Sequence, residues 1–442
     1  MKKKSLLCLV AACAVWTAWA DPNDPQVSLV SANQDDNRVL KVEYTLDEPA
    51  IVTFDVKTNG VSIGAANLKL ACGDVHRVVE PTGAGEVRAL FWPAYEAWPE
   101  HSTKRDGMEF SVTVTAWATN SPPDYMVVKL VGEDKGARTF YTAPEQLPGE
   151  GGVTNDLYKT DYLVMRRIPA AGKTFRMGSP ASESARRDNE ILHYVSLTND
   201  FYMSVFELTA GQFRNITANF SSVFDASVFN SLKISVDEDI LSETPTRPVS
   251  SLIYSYFRGT GKLWPEDGHV LAPSSPLALF RVALNLPTLD LPTEAEWEFA
   301  CRAGTISGRY DGSEYDPAHG DSILVLGWVY DSYYEKARDV GLLKPNGYGL
   351  YDMYGNVGEW CLDRYAGDAT YATAGSTVIA PVGPAVSSVG NSRIVRGAYV
   401  NYKNGLSFAR SAFRYNVEFD YDANASWPAG NPKYGYRLVY TF

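Results

Sequence analysis

Leu291-Pro292-Thr293-Glu294-Ala295-Glu296-Trp297-Glu298-Phe299-Ala300-Cys301-Arg302-Ala303-Gly304 carries a full set of helix signals within one short stretch. Thr293 is the N-cap and Glu296 stands three residues on, a capping box in which each side chain satisfies an orphan backbone amide. Pro292 stiffens the entry, Arg302 faces the negative end of the helix dipole, and Gly304 supplies a left-handed stop. A second helix is signalled by Thr209 and Gln212 after Glu207, and a third near Ser251–Arg258 before Gly259. Around these, from about residue 157 onward, the texture is short helices and strands among long irregular stretches rich in glycine and aromatics.

The first part of the chain reads differently. From about residue 26 to 132 the pattern has period two: Leu40, Val42, Tyr44 and Leu46 alternate with Lys41, Glu43 and Thr45, and Phe110, Val112, Val114 and Ala116 with Ser111, Thr113 and Thr115. Such alternation belongs to half-buried strands, here separated by turns such as Asn59-Gly60 and Pro122-Pro123. The expectation is an all-β sandwich of immunoglobulin or fibronectin type over 21–141, without the Cys–Trp–Cys hallmark of antibody domains. Residues 142–156, with two prolines and three glycines, read as a linker to a second domain over 157–442.

At 442 residues, 45% of them hydrophobic, the chain is long enough for two cores and too apolar to be disordered. Its 52 acidic against 40 basic residues give −12, with no basic cluster after the N-terminus, which speaks against nucleic-acid binding. Lys2, Lys3 and Lys4, an apolar run from Leu6 to Trp16, and Ala18-Trp19-Ala20 occur in the order of a secretory signal peptide over 1–20. Its removal takes away three lysines and no acid, so −12 becomes −15. Val10-Ala11-Ala12-Cys13 leaves lipoprotein processing as the rival. The expected location is periplasmic, extracellular or outer-membrane-associated. Past residue 20 no apolar run reaches the roughly 18 residues a spanning helix needs. Once Cys8 and Cys13 leave with the signal, Cys72, Cys301 and Cys361 allow at most one bridge, and Cys72 reads as core.

Nine segments, in order, resemble the formylglycine-generating enzyme, or sulfatase-modifying factor, family. They are Phe175-Arg176-Met177-Gly178-Ser179-Pro180, Phe206-Glu207-Leu208-Thr209, Arg247-Pro248-Val249-Ser250, the Leu291–Glu298 stretch, Asn346-Gly347-Tyr348-Gly349-Leu350-Tyr351-Asp352-Met353, Gly355-Asn356-Val357-Gly358-Glu359-Trp360, Arg393-Ile394-Val395-Arg396-Gly397, Arg410-Ser411-Ala412-Phe413-Arg414 and Tyr434-Gly435-Tyr436-Arg437. The resemblance covers roughly residues 160–440 and implies an α+β, C-type-lectin-like fold with little regular secondary structure. A β-sandwich ahead of such a domain is similar to exported bacterial proteins.

In the enzymes of that family, two closely spaced cysteines downstream of an R-V-x-R-G-G segment bind copper, whose Cu(I) state favours thiolates. Here those positions fall on Asn401 or Tyr402 and on Leu406 or Ser407, and no cysteine follows Cys361. Copper is therefore not expected. The resemblance also matches Cys301 to a cysteine whose disulfide partner is replaced by Ser411. Of the five histidines, His193 follows Glu190 by three residues, but Tyr194–Thr198 reads as strand, so a surface histidine is expected there. The resemblance places calcium ligands at Asp352, the Gly355 and Val357 carbonyls and Glu359, oxygen donors of the type calcium takes. The other reading of that loop is a tight turn in which Asp352 caps and Glu359 pairs with an arginine. Arg393, Arg396, Arg410, Arg414 and Arg437 are either carboxylate-recognising forks or buried partners of Glu294, Glu296 and Glu298.

Two functions follow. The first is an exported family member without copper-cysteine chemistry that binds a peptide, glycan or cell-surface partner through Tyr399, Asn401, Tyr402, Ser407 and Arg410. The second is a formylglycine-generating-type oxidoreductase that converts a sulfatase cysteine with O2 through a different metal site.

Overall fold

The computed structural model describes residues 24–99, 109–218, 244–250, 254–259, 264–316, 322–329, 336–365, 375–384, 392–400, 405–418 and 434–442. Residues 1–20, where a signal peptide is expected, and Asn401 and Tyr402 lie outside the described residues. The chain divides into two compact units, one running up to Val127 with Arg138–Asn155, the other Val128–Ala137 with Asp156–Phe442. No described helix is long and apolar enough to cross a membrane.

In the first unit the strands Val27–Gln34, Val39–Leu46 and Arg88–Pro93 pair antiparallel. A second sheet centres on Ala50–Thr58, which pairs antiparallel with Phe110–Trp117 and with two short strands. One apolar cluster joins the sheets: Val42, Tyr44 and Leu46 from the first meet Val52, Phe54 and Val56 from the second. Each set is one parity of its strand, so alternation translates into burial, at about 1.5–3 kcal/mol per large apolar side chain. Ile51 and Thr53 are buried as well, and Trp117 Nε1 donates to Thr53 Oγ1 at 2.8 Å. Cys72 departs from expectation: it sits exposed on the two-residue edge strand Cys72–Gly73, too short to be covered.

His76 is buried in this unit, with Nδ1 2.9 Å from the Phe140 carbonyl and its ring 4.7 Å from that of Tyr141. Burial pushes its pKa down to about 4. Between about pH 6.5 and 4 the unfolded chain takes up a proton that the folded chain refuses, so stability falls as pH drops through that window. The expected loss is about 3 kcal/mol. Urea midpoints at pH 7 and pH 4 check this: the acid-induced drop should shrink by that amount in His76→Gln.

In the second unit the fully buried strand Gly358–Arg364 is central. Tyr434–Gly435 runs parallel on one side, Ser392–Arg396 antiparallel on the other, and Arg414–Glu418 follows at the edge. Tyr162–Ile168 and Val439–Tyr440 both pair with Phe201–Ser204, which ties the end of the unit to its beginning. Few helices, short strands and long connections make this the expected α+β domain with little regular structure.

The helix Glu294–Arg302 carries the predicted box: Thr293 Oγ1 accepts from the Glu296 amide at 3.2 Å, and Glu296 Oε2 from the Thr293 amide at 2.8 Å. Thr209 and Gln212 cap Ala210–Thr217 in the same way. The third helix is Tyr254–Arg258, while Ser251 lies outside the described residues. The stop after Arg302 comes one residue earlier than expected, because Ala303 takes the left-handed conformation at φ 46° before Gly304 at 89°. An alanine there is strained by about 1 kcal/mol. Ala303→Gly is expected to raise Tm by about 2–4 °C, read by thermal melts.

Candidate functional site

Residues 397–413 connect two paired strands whose register sets Arg396 opposite Arg414, so the ends of this connection are neighbours. One helical turn, Gly405–Phe408, lies within it. Its aromatic residues and those of the flanking strands assemble into a continuous set of rings. Phe408 and Phe413 stack at 4.6 Å and 14°, Phe413 and Tyr415 at 5.5 Å, and Tyr415 lies 6.0 Å from Tyr434. Tyr399 meets Tyr434 edge-on at 5.7 Å, and Trp360 backs Tyr434 at 5.4 Å. Tyr415 and Tyr434 are half-buried, whereas Tyr399 is only 7% exposed. Ser407 is half-buried and its carbonyl accepts from Arg410 Nε at 2.9 Å.

Arg410 does not face a ligand. It is fully buried and pairs with Glu183 at 2.6 Å and Glu190 at 2.6 Å, with its remaining donor on the Ala185 carbonyl. Burial alone would weaken its charge, and the two glutamates outweigh that. Arg410 is therefore a staple that binds the loop 183–190 to the back of the 397–413 connection. Glu190 is engaged by Arg410, and His193 is buried, with Nδ1 2.7 Å from the Ile191 carbonyl, rather than exposed. The other arginines are also spent inside: Arg396 on Glu294 and Glu298, Arg414 on Glu294, and Arg437 on Glu359. Arg393 donates to the Leu362 carbonyl at 2.7 Å and lies 4.5 Å from the Tyr254 ring.

Cys301 and Cys361 are both buried and unbridged. Cys301 Sγ lies 3.7 Å from Ser411 Oγ, which in turn contacts Tyr354 OH at 2.7 Å. Burial pushes the Cys301 thiol up to about 12 and the Cys361 thiol well above its ordinary value. A copper site needs exposed thiolate, and these thiols are protonated and enclosed. They do not fit that metal, and the copper-pair positions Leu406 and Ser407 bring no sulfur.

The four residues matched to calcium lie together, yet Glu359 is already engaged. Its carboxylate receives Arg437 at 2.7 and 3.0 Å and Trp297 Nε1 at 2.5 Å. Asp352 Oδ2 accepts from the Gly341 amide at 2.7 Å, while buried Oδ1 has no hydrogen-bond partner. Glu207 completes the cluster, accepting from the Val357 amide and Asn356 Nδ2. Burial, with Asp352 and Glu359 nearby, holds the Glu207 carboxyl well above its usual range. Gly355 is required here because a Cβ would stand 2.0 Å from the Trp328 carbonyl oxygen. Among the described residues no three His, Cys, Asp or Glu side chains converge to hold a metal ion. Glu359 is thus engaged by Arg437 and Trp297, while Asp352 Oδ1 is the buried carboxylate oxygen here that accepts no hydrogen bond.

Reading the sequence missed Glu183 and Arg187, and weighed Glu190 only beside His193. Glu183 and Glu190 show no local pattern that marks them as partners of a residue near the C-terminus. Arg187 lies with its guanidinium carbon 4.3 Å from the Phe408 ring centre and 5.1 Å from that of Phe413.

The comparison with known proteins agrees with this architecture. The profile of the sulfatase-modifying factor enzyme 1-like domain matches residues 163–441. A formylglycine-generating enzyme of Thermomonospora curvata is 36% identical over 114 residues, 24% of this chain and 37% of that protein. One of Streptomyces coelicolor is 28% identical over 255 residues, 52% of this chain and 76% of that one. A protein of Bos taurus described as inactive C-alpha-formylglycine-generating enzyme 2 is 26% identical over 221 residues, 45% of this chain and 70% of its own. The chain thus spans little more than a third of the first relative's length. With the profile matched over well more than half of its residues, the chain belongs to the sulfatase-modifying factor enzyme 1-like family.

Proposed function

We propose that this family member is exported, does not carry out copper-dependent cysteine oxidation, and binds a peptide, glycan or cell-surface partner on the aromatic platform of Tyr399, Ser407, Tyr415 and Tyr434. The observation that carries this is the chemistry of sulfur. The positions matched to the copper pair hold no cysteine, and Cys301 and Cys361 are buried as thiols. In support, clustered tyrosines backed by a rigid strand pair supply contact area at low entropic cost. Export rests on the signal-like residues 1–20. A calcium ion on Asp352 Oδ1 and the Gly355 and Val357 carbonyls would pin the loop between Asp352 and Glu359 without taking part in chemistry. Elemental analysis of the purified protein tests the reading. Calcium at one equivalent, without copper or iron, agrees with it; stoichiometric copper or iron favours the oxidoreductase.

A further inference from the structure

Arg187 differs from the other arginines around the platform. Arg258, Arg396, Arg410 and Arg437 each have a carboxylate at 2.6–2.9 Å. Among the described residues none lies within ion-pair distance of Arg187, in a chain with more acids than bases. Its guanidinium instead rests on the stacked pair Phe408 and Phe413. A guanidinium lying on an aromatic face keeps its charge, and its N–H donors stay in its own plane, where they match the two oxygens of a carboxylate. The loop that carries it is fixed beforehand. Arg410 clamps Glu183 and Glu190 on either side and holds the Ala185 carbonyl, and the Arg187 carbonyl accepts from the Glu190 amide at 3.1 Å. Arg187 itself is half-buried.

We infer that Arg187 sets the specificity of the platform by taking a carboxylate, and that the partner is a peptide segment carrying Asp or Glu beside an aromatic or aliphatic residue. This rests on the reading of the tyrosine platform as a binding surface. A peptide is favoured because tyrosine and arginine side by side are the residues that dominate protein recognition. The net charge of −12 repels acids at long range, so discrimination must come from contact. It should therefore persist at 0.15 M salt, where the Debye length is about 8 Å.

The test is panning of a random heptapeptide display library on the full-length protein at that salt. The expected result is enrichment of sequences with Asp or Glu at a fixed position. In the synthetic form of an enriched peptide, Glu→Gln should weaken binding about tenfold, as loss of a charge-assisted pair does. Arg187→Gln should bind the Glu and Gln peptides equally while staying folded, with Tm within about 4 °C of wild type. Enrichment without acid bias, retained in Arg187→Gln and lost in Tyr415→Ala, leaves the platform standing and overturns the inference. No enrichment overturns the inference; direct binding of polygalacturonate that is lost in Tyr415→Ala would then leave the platform standing, and absence of both would count against the platform as well.

Discussion

Arg396→Met is expected to cost about 3–5 kcal/mol of stability, because it leaves buried carboxylates without their cation. Arg396 is 1% exposed and contacts Glu294 at 2.9 Å and Glu298 at 2.6 Å, while its other nitrogen donates to the Ser411 and Phe413 carbonyls. Removing water opposes its charge, but the two glutamates overcome that and raise its pKa. The same pairing, with Arg302, keeps Glu298 ionised below its ordinary range. The single arginine therefore joins the capped helix to the strand Ser392–Arg396 and to the 397–413 connection. The drop in Tm should be on the order of 10 °C. Adding Glu298→Met should recover part of it, since an apolar pair replaces a broken ionic one.

Arg410→Met is expected to lose a similar 3–5 kcal/mol by stranding Glu183 and Glu190. Its consequence for binding is larger than for Arg396, because the loop 183–190 then loses its ion pairs to Arg410 behind Arg187 and keeps contacts to neutral groups, such as Arg414 to the Asn189 carbonyl and the Ser179 hydroxyl to Glu190. Urea unfolding should show the lost stability. Acidic-peptide affinity, measured at a temperature where the variant remains folded, should fall by tenfold or more. Arg187→Gln makes the contrast: it should change binding and cost only about 1 kcal/mol of stability, the worth of its stacking on Phe408 and Phe413.

What the sequence disclosed follows the reach of each interaction. Capping boxes at Thr209 and Thr293 involve residues three apart, so they are written locally, and both are present. Alternating residues predicted half-buried strands because period two determines facing, and Val42, Tyr44, Leu46, Val52, Phe54 and Val56 are buried. Cys72 read as core, yet its strand is two residues long and at an edge, a matter of sheet order that local pattern does not contain. The stop at Ala303 rather than Gly304 was hidden because alanine carries no left-handed signal. Arg410 was read either as a groove residue or as a buried partner of Glu294, Glu296 or Glu298, and only the fold reveals that its glutamates are Glu183 and Glu190, far away in the chain. Arg187 gave no signal for the same reason, since its aromatic partners lie on the opposite side of the domain sequence. The Ser411 substitution was legible as a lost bridge, and the structure places it against the very thiol it would have bonded.

The most direct measurement loads the purified protein with Cu(I) under reducing conditions, adds a Cys-x-Pro-x-Arg peptide and air, and follows the peptide by mass spectrometry. With its only thiols in this domain sealed at Cys301 and Cys361, the protein should return the peptide unconverted. Formation of the formylglycine aldehyde with catalytic turnover would contradict the account.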